Sequence, residues 1–194
     1  MYDIILFAMR EEAPTFFTKY RNIYCIGTGK VNSAINTMNI IANYDLMHNH
    51  LPKRIINLGT AGSINLNPGI YRVNKVVQHD VNLTAVGLEP GYHFHEPTRE
   101  ISLRGEGVTC GSGDVFVTES HKLRVPCDLV EMEAYSVARA CAKYNVECEI
   151  WKYISDKADE NANTVWQDRI AAGESLYMKV LQDLGVKLEE KFRA

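Results

Sequence analysis

The sequence is poor in the features that mark secreted, membrane-spanning and metal-ribbon proteins. Its five cysteines are odd in number and scattered, with no CxxC pair, which argues against a disulfide framework, a zinc ribbon or a redox dithiol. No apolar run approaches the ~18 residues of a membrane span. The opening MYDIILFAMREE has no basic stretch before its short apolar run. A signal peptide would have one, so this segment is predicted to be a first strand. These features predict a cytoplasmic protein with reduced thiols.

An excess of charge of one sign is also lacking. The chain has 21 Lys and Arg against 24 Asp and Glu, which gives a net charge of −3 with mixed signs along the sequence. We therefore expect neither nucleic acid nor a membrane as a partner. Internal repeats and low-complexity linkers are absent, and the 194 residues, 46% of them hydrophobic, are most simply one domain spanning residues 1–194.

Apolar runs of strand length alternate with segments of helical period. Strands are predicted near 3–8, 23–27, 54–58, 149–154 and just before Glu131, with a strand-rich middle over 71–117. Helices are predicted from about residue 11, over 31–44, up to Tyr144 and over about 164–184. This order predicts a three-layer α/β/α sandwich around a mixed, largely parallel sheet. Ligands of such sheets bind outside the carboxyl ends of the strands, where this sequence concentrates glycine and carboxylate residues.

Two glycine-rich segments follow predicted strands. Residues 27–30, GTGK, lack the glycine and hydroxyl spacing of a phosphate-binding Walker loop, and they lack the spacing of a dinucleotide fingerprint. A tight strand-to-helix turn is the simpler interpretation. Residues 59–63, GTAGS, are predicted to form a turn where small side chains let a ligand approach the main chain, but their composition does not say which ligand.

The histidine-rich segment YHFHEP, residues 92–97, is a candidate metal site. His93, His95 and Glu96, with His79 and Asp80 upstream, are residue types that bind zinc or iron. However, Pro90 and Gly91 just before this segment and Pro97 at its end favour an exposed loop. We therefore expect no metal.

Carboxylates stand at two further strand ends. Glu131 and Glu133 in LVEMEAY lie where an apolar strand runs into an apolar helix. A carboxylate there either gains ~0.3–1 kcal/mol from the helix dipole or holds something that enters the protein. Asp156 in YISDKAD also ends a predicted strand, and ordinary turn chemistry would explain that segment if it stood alone.

Together these segments resemble the purine nucleoside phosphorylase and nucleosidase superfamily, most closely the 5'-methylthioadenosine/S-adenosylhomocysteine nucleosidases. The segments that carry the resemblance are AMREE (8–12), GTGKVNSA (27–34), IINLGTAG (55–62), HD with TAVG (79–80 and 84–87), SGDVF (112–116), VEMEA (130–134) and ISDKAD (154–159). They occur in the family's order from residue 3 to about residue 160.

The resemblance implies a site that cleaves an N-glycosidic bond without a cofactor. Asp156 matches the general acid that protonates N7 of the purine, Glu12 the carboxylate that activates the attacking water, and Glu133 the residue that binds the ribose 2'- and 3'-hydroxyls. Phe116 would stack on the base. The further substrate-binding residues implied by the resemblance are Met9, Thr60, Gly62, Val117, Glu131, Met132 and Ser155.

Reaction type depends on the segment after the first strand. Glu12 would repel phosphate, which favours hydrolysis. Arg10 departs from the nucleosidase pattern, which usually has an acidic residue there, so a phosphorolytic enzyme that grips phosphate through arginine is an alternative. A non-catalytic nucleoside-binding protein is another. The expected substrate is 5'-methylthioadenosine or S-adenosylhomocysteine, with water as co-substrate and adenine as a product.

Other departures concern the 5' side of the substrate. Compared with the family, the chain is shortened at about 17–27 and 89–107, where relatives line the pocket for the 5'-substituent, partly from a second subunit. The resemblance thus implies a homodimer. Trp166 stands where relatives have an aromatic residue closing the 5' side, although simple packing of a helix start explains it equally well. Lys152 stands where relatives often have arginine.

Overall fold

The computed structural model describes residues 2–95 and 99–191, and a single eight-stranded sheet runs through it. The strands are β1 (Asp3–Phe7), β2 (Ile23–Cys25), β3 (Arg54–Ser63), β4 (Ile70–Gln78), β5 (Glu100–Ser102), β6 (Val108–Ser112), β7 (Leu129–Glu131) and β8 (Glu147–Asp156). The α-helices are α1 (Pro14–Lys19), α2 (Lys30–His48), α3 (Ala134–Tyr144), α4 (Ala162–Arg169) and α5 (Glu174–Asp183). Short 3-10 helices cover Arg10–Glu12, Thr84–Val86 and Ser120–Lys122.

Five of the eight strands form a closed ring. Neighbours follow the order β2-β1-β3-β7-β6-β4-β5, while β8 pairs with both β3 and β4. Strands β3, β7, β6, β4 and β8 therefore form a ring. Strand β3 runs parallel to β1 and β8, and β4 runs antiparallel to β5 and β8. The predicted mixed α/β architecture with a mixed, largely parallel sheet is confirmed.

Successive side chains of β1 belong to two different hydrophobic cores, one on each face of the sheet. Ile5 and Phe7 belong to a core with residues of α1 and α5, whereas Ile4 and Leu6 belong to a core with residues of α2 and α3. Because successive side chains of a strand point to opposite faces, a fully apolar strand needs a cover on both sides. None of the described helices combines the length and the apolar character needed to cross a bilayer.

Two predictions about the elements were wrong. Residues 59–63 continue strand β3 instead of forming a turn, because they pair with β7 on one side and β8 on the other. The last helix is not continuous over 164–184 but divides into α4 and α5. Gly173, just before α5, has no room for a side chain, since a Cβ there would lie 2.8 Å from the Tyr177 ring and 2.9 Å from the Tyr153 ring. The chain turns at this contact.

Candidate active site

The ends of β1, β3, β7 and β8 surround one cavity, which we call the strand-end cavity. All eleven of the predicted site residues line it: Met9, Glu12, Thr60, Gly62, Phe116, Val117, Glu131, Met132, Glu133, Ser155 and Asp156. The remaining lining residues are Ala8, Thr28, Ala61, Val115, Val130 and Trp166. Side chains separated by up to about 150 positions in sequence thus line one cavity. The strand-end position is the one expected for ligands of such sheets.

Glu12 is a buried carboxylate held by four donors. Its Oε2 accepts the N–H groups of Ala8 (3.1 Å) and Met9 (3.2 Å), while Oε1 accepts the N–H (2.7 Å) and the hydroxyl (3.0 Å) of Thr60. Burial raises the pKa of Glu12, and the charge of Lys152 and these hydrogen bonds offset part of that effect. A Cβ at Gly59 would lie 2.9 Å from Oε1, so glycine is required at that position for Glu12 to fit.

Glu133 lies at the start of α3 and is nearly buried. Its Oε1 accepts the N–H of Gly29 at 2.8 Å, which connects it to the loop that opens α2. Burial, and after it the negative charge of Glu131, raises the pKa of Glu133 to about 8, against the opposing effects of Lys152 and the Gly29 N–H. With a pKa of about 8 this carboxyl is mostly protonated at neutral pH, and a positive charge placed beside it would favour the ionised form.

Glu131 and Lys152 form a buried ion pair behind Glu133. The Lys152 Nζ lies 2.9 Å from Glu131 Oε2, and both side chains are almost fully buried. Glu131 also accepts the N–H groups of Glu133 (3.0 Å) and Ala134 (2.8 Å) and the hydroxyl of Ser112 (2.5 Å). Although burial opposes ionisation, the Lys152 charge and these hydrogen bonds hold the pKa of Glu131 below its usual value. Its oxygens are thus occupied by protein donors and serve to cap α3.

Lys152 is the cation that makes this concentration of carboxylates possible. Burial acts to lower its pKa, but the nearby carboxylates Glu131, Glu133 and Glu12 together raise it. Sequence reasoning noted Lys152 only as a departure from the family and did not predict its pairing. A lysine in the otherwise apolar run 150–154 of β8 was the available signal, since buried lysines are almost always paired.

Asp156 ends β8 and faces the cavity next to Gly62. Its Oδ2 accepts the Ser155 hydroxyl at 2.8 Å, and its Oδ1 accepts the N–H of Ala158 at 2.9 Å. The carboxylate is nearly buried, and a Cβ at Gly62 would lie only 2.8 Å from Oδ1. The position and orientation of the Asp156 carboxylate are therefore fixed by its two hydrogen-bond donors and by the Gly62 backbone, which has no side chain to displace it.

Two aromatic side chains close the outer side of the cavity. The rings of Phe116 and Trp166 meet edge to face with centroids 5.9 Å apart. The indole N–H of Trp166 donates to the Thr60 hydroxyl at 3.3 Å, and that hydroxyl donates in turn to Glu12. Trp166 therefore lies over the site instead of packing only within α4.

The histidine segment does not assemble a metal centre in the part of the chain that the structure describes. Within residues 2–95 and 99–191, no three His, Cys, Asp or Glu side chains come together as a metal would require. His93 contacts Gln78 through its Nε2 at 2.7 Å, and His79 is buried beneath Gly113. Glu96 lies outside the described residues.

The comparison with protein families gives the class. The model of the phosphorylase superfamily matches residues 10–186. That range includes the strand-end cavity except for Ala8 and Met9.

Named relatives and solved structures narrow this class. The 5'-methylthioadenosine/S-adenosylhomocysteine nucleosidase of Buchnera aphidicola is 32% identical over 169 residues, covering 74% of this chain and 70% of the relative. The same enzyme of Bacillus thuringiensis is 28% identical over 188 residues, covering 81% and 79%. A mutant of the Helicobacter pylori nucleosidase, with 5'-methylthioadenosine in its active site, superposes with a TM-score of 0.80 at 23% identity, covering 94% of this chain and 98% of that one. A futalosine hydrolase mutant of the same organism has the same fold, with a TM-score of 0.81, 23% identity, and coverage of 94% and 97%.

The chain therefore belongs to the phosphorylase superfamily, and within it to the family of 5'-methylthioadenosine/S-adenosylhomocysteine nucleosidases.

Proposed function

We propose that this protein hydrolyses the N-glycosidic bond of a purine nucleoside, with 5'-methylthioadenosine or S-adenosylhomocysteine as substrate and adenine as a product. The observation that carries the proposal is that Glu12, Glu133 and Asp156 line one cavity. Cleavage of this bond passes through a ribosyl cation-like state. The protein must then neutralise the departing base and stabilise positive charge on the sugar.

Each of the three carboxyl groups has a distinct task in the proposed reaction. Asp156 donates a proton to N7 of the leaving purine, which is worth roughly 10²–10⁴-fold in rate. Glu133 binds the ribose hydroxyls, and in its ionised form, which the positive charge developing on the sugar favours, it places negative charge beside the sugar. Glu12 takes a proton from the water that attacks C1', so that nucleoside and water become free base and sugar.

The water can reach Glu12 at the position of the Thr60 hydroxyl. Three of the four groups that donate to Glu12 are backbone N–H groups with fixed positions, whereas the Thr60 hydroxyl can rotate away. A water molecule that replaces this one bond would be ready to lose its proton to Oε1. Met9, Met132 and Gly62 would lie around the sugar, while Phe116 and Val117 would contact the base.

Hydrolysis is favoured over phosphorolysis by the charges of the cavity. Among the described residues, the cavity lining contains four carboxylates and no lysine or arginine. Arg10, which kept phosphorolysis as an alternative, is exposed and its guanidinium carbon lies 5.1 Å from the centre of the Phe17 ring. A phosphate dianion would thus meet negative groups without the bidentate arginine that usually binds it.

We further infer a cytoplasmic homodimer built from one domain, shortened at about 17–27 and 89–107. The stripe Val31, Ile35 and Met38 on α2 supports the dimer, because these side chains lie on one helical face and are 67%, 54% and 36% exposed. An apolar stripe of this kind is typical of a surface that another protein covers. Helix α2 begins next to Gly29, so a second copy there would stand beside the cavity and compensate for the shortened segments.

A panel of nucleosides tests the proposal. Purified protein is incubated with 5'-methylthioadenosine, S-adenosylhomocysteine, adenosine and inosine, with and without phosphate, and free base is measured by chromatography. We expect adenine from the two 5'-thio nucleosides at rates that phosphate does not change. Tight binding without release of base would favour the non-catalytic alternative, and strict dependence on phosphate would favour phosphorolysis.

A further inference from the structure

A charged network outside the strand-end cavity joins three segments that converge on it. Asp80 follows β4, Asp114 follows β6, and Lys30 opens α2. The Lys30 Nζ lies 2.6 Å from Asp80 Oδ1 and 3.9 Å from Asp114 Oδ2. We call Lys30, Asp80 and Asp114 the Asp80 network. None of the three lines the cavity, so the proposed chemistry leaves them without a task.

Backbone donors complete the network. The Asp114 N–H donates to Asp80 Oδ2 at 2.9 Å, and the Lys30 N–H donates to Asp114 Oδ1 at 2.7 Å. Both oxygens of Asp80 are thus used, one by a side chain and one by the backbone of another segment. Burial acts to raise the pKa of Asp80, but the bonds from Lys30 and the Asp114 N–H and the Lys30 charge more than compensate, so that its pKa is lowered.

The network ends at a group that touches the cavity. Gly29, directly before Lys30, donates its N–H to Glu133 Oε1 at 2.8 Å. Gly29 has φ of +85°, and a Cβ there would lie 3.0 Å from Asp114 Oδ1, so that only glycine brings the backbone this close. Fixing Lys30 from two sides therefore fixes the Gly29 N–H against Glu133.

The Asp80 network also anchors the loop that carries Phe116, the side chain expected to stack on the base. Asp114 stands two residues before Phe116, which lines the cavity. Upstream, the His79 N–H donates to the Ser112 carbonyl at 3.0 Å, and the Gly113 N–H donates to the Glu131 carbonyl at 3.0 Å. After Gly113, the hydrogen bond from the Asp114 N–H to Asp80 holds the backbone just before the exposed residues Val115 and Phe116.

We propose that Asp80 is a positioning residue for nucleoside binding: through Lys30 and Asp114 it holds the Gly29 N–H against Glu133 and holds the loop that carries Phe116. This inference rests on the proposed function. It assigns Asp80 to the binding of the ribose and the base and not to proton transfer, because Asp156 and Glu12 contact other segments.

The test compares Asp80→Asn with Glu100→Gln, in which a different lysine-paired carboxylate at the sheet edge, 3.1 Å from Lys75, loses its charge. With 5'-methylthioadenosine as substrate, we expect Asp80→Asn to raise KM about tenfold, since a charge-assisted hydrogen bond is weakened, and to lower kcat by a smaller factor. Glu100→Gln should change neither constant. Lys30→Gln removes the same ion pair from its other side, and the double variant should raise KM by less than the product of the two single effects.

A readout independent of activity separates this inference from the proposed function. Amide hydrogen exchange measured by NMR should become faster at Gly29 and Lys30 in Asp80→Asn, while the amides of β1 and β3 keep their protection. An active wild type with unchanged KM in both single variants would overturn the inference and leave the proposed function standing. Unchanged exchange at Gly29 would overturn it even if the wild type cleaved none of the nucleosides.

Discussion

At the residue scale, neighbouring carboxyl groups of one cavity differ in their protonation because their partners differ. Glu131 has a lowered pKa beside Lys152, whereas Glu133, two residues away, has a pKa of about 8. Such divergence between adjacent acids is how proteins separate structural from chemical tasks. Glu131 organises the start of α3, and Glu133 remains able to respond to the charge of a ligand.

Replacing Asp156 should separate binding from chemistry. Asp156→Asn keeps the shape of the side chain and removes the acidic proton, so turnover of 5'-methylthioadenosine should fall by at least ~10²-fold. Affinity, measured by calorimetry, should stay close to that of the unchanged protein. Asp159→Asn is the matched control, because Asp159 lies in the same segment but does not line the strand-end cavity. Equal turnover of Asp156→Asn and the control would remove Asp156 from the mechanism.

The raised pKa of Glu133 should be visible in the pH dependence of stability. Its folded-state pKa of about 8 lies above the ordinary 4.5, so the folded protein holds this proton more tightly. The stability contributed by protonated Glu133 is complete below pH 4.5 and is lost as the pH rises toward 8.

Comparison with Glu133→Gln isolates this contribution. Between about pH 5 and 8, the free energy of unfolding of the unchanged protein should fall relative to that of the variant by up to about 1.4 kcal/mol per pH unit. Urea denaturation at several pH values measures the difference. A difference that did not vary with pH would mean that Glu133 titrates as an ordinary carboxylate.

At the element scale, the end of β3 places two glycines, which have no side chain, against two acidic side chains. Gly59 and Gly62 make room for Glu12 and Asp156 respectively, and the pairing of β3 with β7 and β8 keeps this segment extended. The site therefore depends on a strand end that has almost no side-chain bulk.

A methyl group at this strand end should disturb the acid. In Gly62→Ala, the new Cβ would lie 2.8 Å from Asp156 Oδ1 and 3.1 Å from the Ala158 Cβ, so Asp156 must move. Because a displacement of about 1 Å can cost up to ~10²-fold in rate, adenine release should fall by that order. Gly69→Ala is the control, since its Cβ would meet the Tyr71 ring at an ordinary 3.5 Å. Full activity of Gly62→Ala would show that Asp156 has freedom that these contacts do not suggest.

Much of the element order was predictable, and the errors have a common cause. Apolar runs such as β1 identify strands from local composition alone, and the convergence of carboxyl ends in a parallel sheet predicts that Glu12 and Asp156 approach each other. The strand character of residues 59–63 was not predictable, since their small residues have low strand propensity and are held by pairing with distant strands. Likewise, the bond from Gly29 to Glu133 joins residues 104 positions apart, beyond any local pattern.

At the scale of the whole molecule, the α2 stripe should decide the oligomeric state. Ile35→Glu places a charge in the centre of the stripe, and burial of an unpaired charge in an interface is unfavourable. Sedimentation velocity should show a dimer for the unchanged protein and a monomer for Ile35→Glu. Met47→Glu is the control, because Met47 is 79% exposed on the same helix but lies about a third of a turn from the Ile35 direction. A dimer that survives Ile35→Glu would place the contact elsewhere.

The fate of water's oxygen tests the central claim most directly. 5'-Methylthioadenosine is incubated with the unchanged protein in ¹⁸O-labelled water that contains unlabelled phosphate, and the masses of the products are measured by mass spectrometry. If Glu12 activates water while Asp156 releases the base, adenine will appear together with methylthioribose that carries one ¹⁸O atom. Intact nucleoside, or an unlabelled sugar phosphate in place of the labelled sugar, would contradict the account.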